Sequence, residues 1–486
     1  MSFINNPDNI NVDNDISIID PEMEKKPKLT IAGEILQDSF FNHIALIQFI
    51  FLEFINLTFM GRINNSNDKL YDFSYFNYCQ IGFSFLNIFG NFYVLGIIKT
   101  LNYNSELLTR YITLKKILLL IILFIIIPFS LCSIFILKFI FLPIFSKNQI
   151  LRYEISLNLN NIYYEMILYS PIYLLFFYLY ELNLKFFQKN NMRSSALSFI
   201  FIFTFMHFLL SYILIFKNNY KIKGITFSMI LTSLFCYLST NYTITDECYT
   251  NKKIQNFYFF PKRNKFIDIY LKNSINEILI KGFYLFIDFL PYEFFLLFSL
   301  FIGNEELSSN IILRNFYLFL NAIGKGLSST LKNYIQYSSI GNKHSHQAKI
   351  KYVKIFTYIV FSIILFCGLI LSIFRGKISF LYLKNGGNEI IQKDLNNLYI
   401  LYTMCVCLNY ISFELEGYVK GINIDNNILL YRIIFPIIFI PIGFTSCFLF
   451  KYGIFGLWFG IFLMILFYSL PNAIKVYKFY DLFFQK

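Results

Sequence analysis

Residues 281–303 read KGFYLFIDFLPYEFFLLFSLFIG, and this segment is the most informative one about the architecture of the protein. The segment is apolar and about long enough to cross a lipid bilayer as an α-helix. Asp288 and Glu293 lie near its middle with Pro291 between them, and the proline is expected to kink the helix. An ionisable side chain at bilayer depth costs at least ~2.5–3.5 kcal/mol and usually marks a functional site. The segment therefore predicts a transmembrane helix that handles a proton or a cation.

The composition of the whole chain is that of a membrane protein. Hydrophobic residues make up 56% of its 486 residues, and we count about twelve apolar spans of bilayer length. The predicted fold is an all-α polytopic membrane protein. The net charge is +13, with the basic residues mostly in loops between spans. Anionic lipid head groups are therefore the expected charged partner, and nucleic acid is not.

The chain divides into two halves between polar ends. We predict a cytosolic polar tail, an N-lobe with helices 1–6, a cytosolic linker, a C-lobe with helices 7–12 and a cytosolic C-terminal tail. Their respective bounds are 1–38, 39–245, 246–275, 276–475 and 476–486. The linker is the longest basic connector, so the positive-inside rule places it and both termini in the cytosol. Either the plasma membrane or an internal membrane fits this pattern.

An internal repeat relates the two halves. The segment 220–227 (YKIKGITF) resembles 452–459 (YGIFGLWF), and Glu181-Leu182 resembles Glu414-Leu415 at a similar separation. Six spans per half is an even number, which makes the repeat parallel and places its pseudo-twofold axis along the membrane normal. Substrate sites in such proteins lie between the halves.

Two spans carry a polar stripe. The stripes are Gln80, Ser84, Asn87 and Asn91 in the second span and Asn321, Lys325, Ser328 and Lys332 in the eighth. Each set has the spacing of one helix face. Lys325 lies near mid-span and needs water or an acid partner, for which Asp288 or Glu293 is the expected candidate. These two acids are about 140° apart around an ideal helix and would not share a face unless Pro291 alters the helix.

Other acids in the spans are weaker candidates for a functional site. Glu53 shares a helix face with Asn56 in the first span. Glu181, Glu414 and Glu416 lie toward the cytosolic ends of their spans, where solvated or capping roles are expected.

Several short motifs resemble the multidrug and toxic compound extrusion (MATE) transporters. Asp288-Phe-Leu-Pro-Tyr-Glu293 is similar to the seventh-helix motif of eukaryotic members, acid-Trp-Trp-Ser-Phe-acid, without the tryptophans. Gly417-Tyr-Val-Lys-Gly421 resembles the tenth-helix Gly-Val-(Leu/Ala)-Arg-Gly segment, and Gly456-Leu-Trp-Phe-Gly460 resembles the last-helix Gly-Leu-Trp-x-Gly. Phe59-Met-Gly61-Arg62 is similar to the first-helix Val-Gly-(His/Arg) turn. Asn56 and Asn409 depart from the pattern, since many members have an acid there.

The resemblance implies a twelve-helix, V-shaped antiporter that works by alternating access. It would export organic, mainly cationic, solutes such as drugs in exchange for H⁺ or Na⁺, and would be neither an enzyme nor dependent on a cofactor or metal. We expect a monomer whose partners are a small organic solute and membrane lipids. The predicted substrate and coupling residues are Asp288, Glu293, Lys325, Gln80, Asn87, Asn91, Asn321 and Tyr292, with Pro291 as the helix kink.

Two other functions stay open. A lipid-linked saccharide flippase of the same superfamily would place basic residues in its cavity, and Lys325 fits that expectation while the acids do not. A polytopic membrane enzyme such as an acyltransferase would need a His/Asp pair at a membrane face. Only His207 lies deep in a span, and it has no acid near it in the sequence.

Overall fold

The apolar runs of the chain fold into long α-helices. The computed structural model describes residues 27–63, 74–99, 111, 115, 118–136, 139, 160–189, 192–250, 265–337, 344–422 and 428–484. Within these ranges every regular element is helical and none is a β-strand, which confirms the all-α prediction. The predicted N-terminal tail and cytosolic linker lie partly outside the described residues. Helix nevertheless reaches into both, because α1 begins at Lys28 and α7 continues to Thr250.

The helices of the first half are α1 (Lys28–Met60), α2 (Ser74–Leu86), α3 (Phe92–Lys99), α4 (Ile127–Ile136), α5 (Ser170–Lys189), α6 (Arg193–Tyr212) and α7 (Lys221–Thr250). Those of the second half are α8 (Lys265–Ser299), α9 (Asn304–Tyr337), α10 (His344–Ile373), α11 (Ser379–Tyr382), α12 (Glu389–Gly421), α13 (Ile428–Phe448) and α14 (Ile454–Phe484). Turns of π-helix occupy Asn87–Asn91, Ile122–Ile126 and Ile213–Lys217, and 3₁₀ turns occupy Ile167–Tyr169 and Lys384–Gly386.

Nine of the described helices are long and apolar enough to cross a membrane, namely α1, α5, α6, α7, α8, α10, α12, α13 and α14. Large apolar side chains stand exposed on their outer faces, among them Phe201 on α6, Phe366 on α10 and Ile437 on α13. Exposed apolar surface of this extent marks contact with lipid. The chain is an integral, multi-pass membrane protein.

Three predicted spans do not meet the same criterion within the described residues, and each differs for a local reason. The second span is divided between α2 and α3 by the π-helical turn at Asn87–Asn91, which is kinked because the backbone of Gly90 is not helical. The third is described as a shorter apolar helix, Leu118–Phe129. The eighth, α9, carries acidic side chains in its first turn and basic ones further along, so it is helical but not uniformly apolar.

The two halves meet through a reciprocal pair of contacts. Along its length α9 packs against α1, while α3 packs against α8. The second span of each half therefore contacts the first span of the other half, as a twofold-related pair of repeats requires. On its other side α9 packs extensively along α12. α9 is therefore packed between α1 of the first half and α12 of its own half.

Candidate functional site

α8 presents its two central acids to different parts of the molecule. Asp288 Oδ2 accepts a hydrogen bond from Lys325 Nζ on α9 at 2.7 Å and lies 2.9 Å from Arg432 Nη1 on α13. Glu293 instead contacts residues of α9 and of the first half. Both acids contact α9, so their predicted angular separation stays a prediction, and the partner of Lys325 is Asp288. α8 continues through Pro291 as one helix, so the kink at that residue stays a prediction.

Glu293 belongs to a buried group that we call the inner triad: Glu53 on α1, Glu293 on α8 and Arg314 on α9. The Arg314 guanidinium donates to Glu53 Oε1 at 2.6 Å and also to Glu293 Oε1. The three side chains are between 0% and 2% exposed. Glu53 Oε2 and Arg314 Nε have no hydrogen-bond partner among the described residues. Two carboxylates thus share one guanidinium in a site closed to solvent.

The polar stripe of the second span faces this triad. Asn87 Nδ2 donates to Glu293 Oε1 at 3.0 Å, and Asn91 Nδ2 donates to Asn87 Oδ1 at 3.0 Å. The Tyr178 hydroxyl on α5 donates in turn to Asn91 Oδ1. Gln80 is also buried and donates to Ser84 at 3.4 Å. The π-helical turn holds both asparagines, and turns of this kind occur frequently at functional sites.

Asp288 belongs to a second group, the pocket network, which comprises Asp288, Lys325, Glu416, Lys420 and Arg432. Arg432 donates to Glu416 Oε1, which also accepts from Lys420. Glu416 Oε2 accepts from the Tyr468 hydroxyl at 3.0 Å. The expectation of a solvated or capping role for Glu416 is therefore wrong. Its side chain is only 5% exposed, because α13 and α14 cover the end of α12.

Four members of the pocket network, Asp288, Lys325, Glu416 and Arg432, line a cavity between α8, α9, α12, α13 and α14, and Lys420 lies outside that lining. The cavity encloses about 510 Å³ of empty space, part of which is open to solvent. Small-molecule sites occur preferentially in such clefts between helices. Its polar and charged lining comes from Asp288, Asn321, Lys325, Asn409, Glu416 and Arg432, and its apolar walls from residues such as Phe413, Phe435, Pro436 and Met464. The cavity thus combines charged groups from four helices with apolar walls.

The other predicted site residues divide between the two clusters. Asn321 lines the cavity and accepts a hydrogen bond from Asn409 Nδ2 at 2.8 Å. Tyr292 and Pro291 also line the cavity, and the Tyr292 hydroxyl donates to Tyr317 at 3.2 Å. Gln80, Asn87 and Asn91 lie instead on the side of the inner triad. The structure therefore places the predicted residues in two sites that share α8.

Sequence reasoning missed the two arginines at the centre of these clusters, Arg314 and Arg432. A signal was present, since both are ionisable side chains within apolar or polar-striped spans, where charge is costly. What the sequence did not provide was their partners. Arg314 and Glu53 are 261 residues apart in the chain and meet only because α9 packs against α1.

A third polar group lies inside the first half. His207 Nε2 lies 2.8 Å from Asn56 Oδ1, and Ser211 lies 2.7 Å from Ser228. Asn56 occupies the position at which the resemblance expected an acid, so this group is built from neutral partners.

Comparison with known proteins gives a structural match only. No family model matches the chain, and no curated protein matches it. Among solved structures, the eukaryotic MATE transporter AtDTX14 is 15% identical, with a TM-score of 0.67 over 93% of this chain and 96% of that one. The outward-facing conformation of a multidrug resistance MATE family transporter of the MOP superfamily is 12% identical, with a TM-score of 0.58 over 94% and 96%.

A mutant of the Vibrio cholerae MATE transporter VcmN matches in the same way, at 11% identity and a TM-score of 0.54, over 93% of this chain and 97% of that one. Each match extends over nearly the whole of both chains, while the sequences have diverged almost completely. This chain therefore has the fold of the MATE transporters.

Proposed function

We propose, from the MATE fold and the two charged clusters on α8, that this protein is a secondary active transporter. It would move a small organic solute across the membrane in exchange for H⁺ or Na⁺, by alternating access of the two halves. The pocket between α8, α9, α12, α13 and α14 is the proposed solute site, and the inner triad is the proposed ion site.

The main support for this proposal is the charge of the inner triad. Glu53, Glu293 and Arg314 supply two acids and one base, all of them buried. An uncompensated charge in such a site costs several kcal/mol, so one further positive charge is needed to balance it. A proton on one carboxyl group or a bound Na⁺ would supply that charge. The triad therefore has the composition of a site that is loaded and unloaded by one monovalent cation.

The position of the triad supports a role in coupling. Arg314 and Glu293 belong to the second half, and Glu53 belongs to α1 of the first half. Loading with a proton would weaken the attraction between Arg314 and one of the acids, and thereby the link between the halves. α8 carries both Glu293 and Asp288, so a movement of this helix would be transmitted to the pocket.

A lipid-linked saccharide flippase is the second candidate function. The observation that favours it is the pair of bases facing the cavity, Lys325 and Arg432, which could hold a pyrophosphate. The two acids of the cavity, Asp288 and Glu416, count against it, because they already pair with these bases.

The test uses the purified full-length protein in proteoliposomes with an imposed pH or Na⁺ gradient. The labelled probes are tetraethylammonium, a permanent cation, and para-aminohippurate, a monoanion. We expect the gradient to drive accumulation of one probe, and Glu53→Gln and Glu293→Gln to reduce that accumulation by about tenfold or more. Glu414→Gln is the matched control, because Glu414 is also within a membrane helix but bonds to Thr357. Wild-type accumulation in both triad variants, or none of either probe in the wild type, would contradict the proposal.

A further inference from the structure

We infer that the pocket binds a small organic anion, in place of the organic cation expected from the sequence. This inference rests on the proposed transport function and names the class of its substrate. It rests on the charges of the pocket network and on the ion pairs that its acids and bases already form.

The pocket network has one more base than acid. Lys325, Lys420 and Arg432 are basic, and Asp288 and Glu416 are acidic. The side chains of four of them are only 5% to 14% exposed, and Lys420 is 33% exposed. Charges act more strongly on one another in such a site than in water. Four of the five line the cavity, as two bases and two acids, so the surplus positive charge comes from Lys420, which pairs with Glu416 outside the lining. A cationic solute would add to that surplus, whereas an anionic solute would cancel it.

The acids of the network already pair with bases of the protein. Asp288 accepts from Lys325 and is paired with Arg432, while Glu416 accepts from Arg432, Lys420 and the Tyr468 hydroxyl. Both bases contact Asp288 at Oδ2, so a cationic solute would have to share this carboxylate with a lysine and an arginine that are fixed by the fold. Sharing would bring a third positive charge beside two buried bases, at a high cost. The carboxylates thus hold the bases in place instead of offering a free cation site.

The bases retain donors for a ligand. An ammonium group has three donors and a guanidinium has five. Among the described residues, Lys325 Nζ donates to Asp288 and lies 4.0 Å from the centre of the Phe289 ring. Arg432 donates through Nε to Tyr468 at 3.1 Å, and its Nη atoms contact the two acids. Both bases line the cavity, so a carboxylate, sulfonate or phosphate could accept from each of them.

The apolar residues of the cavity indicate the chemistry of the rest of the ligand. Tyr431, Phe435, Met464 and Ile465 also line the cavity. A solute with one anionic group and an apolar or aromatic body would match this combination of bases and apolar side chains. The expected class is therefore a small amphipathic monoanion.

Equilibrium binding to the purified full-length protein in lipid nanodiscs tests this inference. The probes are labelled para-aminohippurate and labelled tetraethylammonium. We expect saturable binding of the anion and none of the cation. Arg432→Gln and Lys325→Gln should each weaken anion binding by about tenfold or more, since each removes a charged donor. Arg193→Gln, which removes an arginine from an exposed pair with Asp38, should leave binding unchanged.

Asp288→Asn separates the two substrate classes most sharply. It removes an acid that competes for Lys325 and Arg432, so it should strengthen binding of the anion. A cation site would instead lose its carboxylate and bind more weakly. Saturable binding of tetraethylammonium that Asp288→Asn weakens would overturn the inference. If ion-driven transport of that cation were then lost in Glu53→Gln, the proposed function would stand without this inference, whereas no binding and no transport of either probe would contradict both.

Discussion

Arg314 is the residue on which the buried charge of the molecule depends most. Its guanidinium contacts two acids from two other helices, in a site where no member is more than 2% exposed. Removing one partner of a buried ionic group leaves the others unpaired, which costs about 3–5 kcal/mol. We therefore expect Arg314→Gln to lower the thermal unfolding midpoint of the detergent-purified protein strongly. Arg193→Gln breaks a surface pair and should cost no more than about 1 kcal/mol.

A combined variant shows whether charge causes that loss. Adding Glu53→Gln and Glu293→Gln to Arg314→Gln leaves no charge in the site, and most of the stability should return. A triple variant as unstable as Arg314→Gln alone would mean that the arginine acts through its packing.

At the level of single residues, the acids of α8 could be predicted from the sequence, but their partners could not. The angular separation of Asp288 and Glu293 expected from helix geometry stays a prediction, because both acids contact α9. The choice between Asp288 and Glu293 as partner of Lys325 depended on how α8 and α9 are rotated against each other. That rotation is set by side-chain packing along the whole interface, which a single sequence does not specify.

Among the elements, the contact between α3 and α8 depends on two glycines. A Cβ atom at Gly96 would lie 2.7 Å from the Gly282 carbonyl oxygen, closer than side chains approach backbone. We expect Gly96→Val to push α8 away and destabilise the protein by about 1–3 kcal/mol, as overpacking does. Gly368→Val on α10 is the control, because nothing lies within 4 Å of its position. Equal unfolding midpoints for the two variants would contradict a close helix contact at Gly96.

The symmetry-related contact, between α9 and α1, also depends on a glycine. A Cβ atom at Gly326 on α9 would lie 2.4 Å from the Ser39 carbonyl oxygen on α1. Small residues such as these allow two helices to approach closely. The sequence did not predict the kinked turn at Asn87–Asn91, where Gly90 departs from helical geometry, since the polar periodicity runs through it unchanged. It is nevertheless this turn that carries Asn87 and Asn91 beside the inner triad.

For the molecule as a whole, weak sequence signals added up to the correct architecture. The motif around 288–293, the glycine motifs at 417–421 and 456–460 and the internal repeat each match loosely. Their order along the chain was the specific observation, and the structural match over more than 90% of the chain agrees with it. The charged lining of the pocket could not be predicted in this way, because Arg432 and Glu416 come from helices that meet Asp288 only in the folded protein.

The two halves also contact each other beyond the end of α1, on the side opposite its N-terminus. Arg62 Nη2 donates to the carbonyl oxygens of Phe380 and Leu381 at 3.4 Å and 3.3 Å, and Lys384 N donates to Gly61 O at 3.1 Å. If access alternates between the two sides of the membrane, this contact has to open once in each cycle. A covalent link across it should therefore hold the protein closed on this side.

The cross-linking variant is Arg62→Cys with Phe380→Cys, in a background where the exposed Cys132 is replaced by serine. We expect a bifunctional methanethiosulfonate reagent to stop ion-driven uptake in proteoliposomes by about tenfold or more, and a reductant to restore it. Each single cysteine variant treated with the same reagent controls for modification alone. Undiminished uptake after complete cross-linking would mean that the halves move without separating here, and that the solute leaves the pocket by another route.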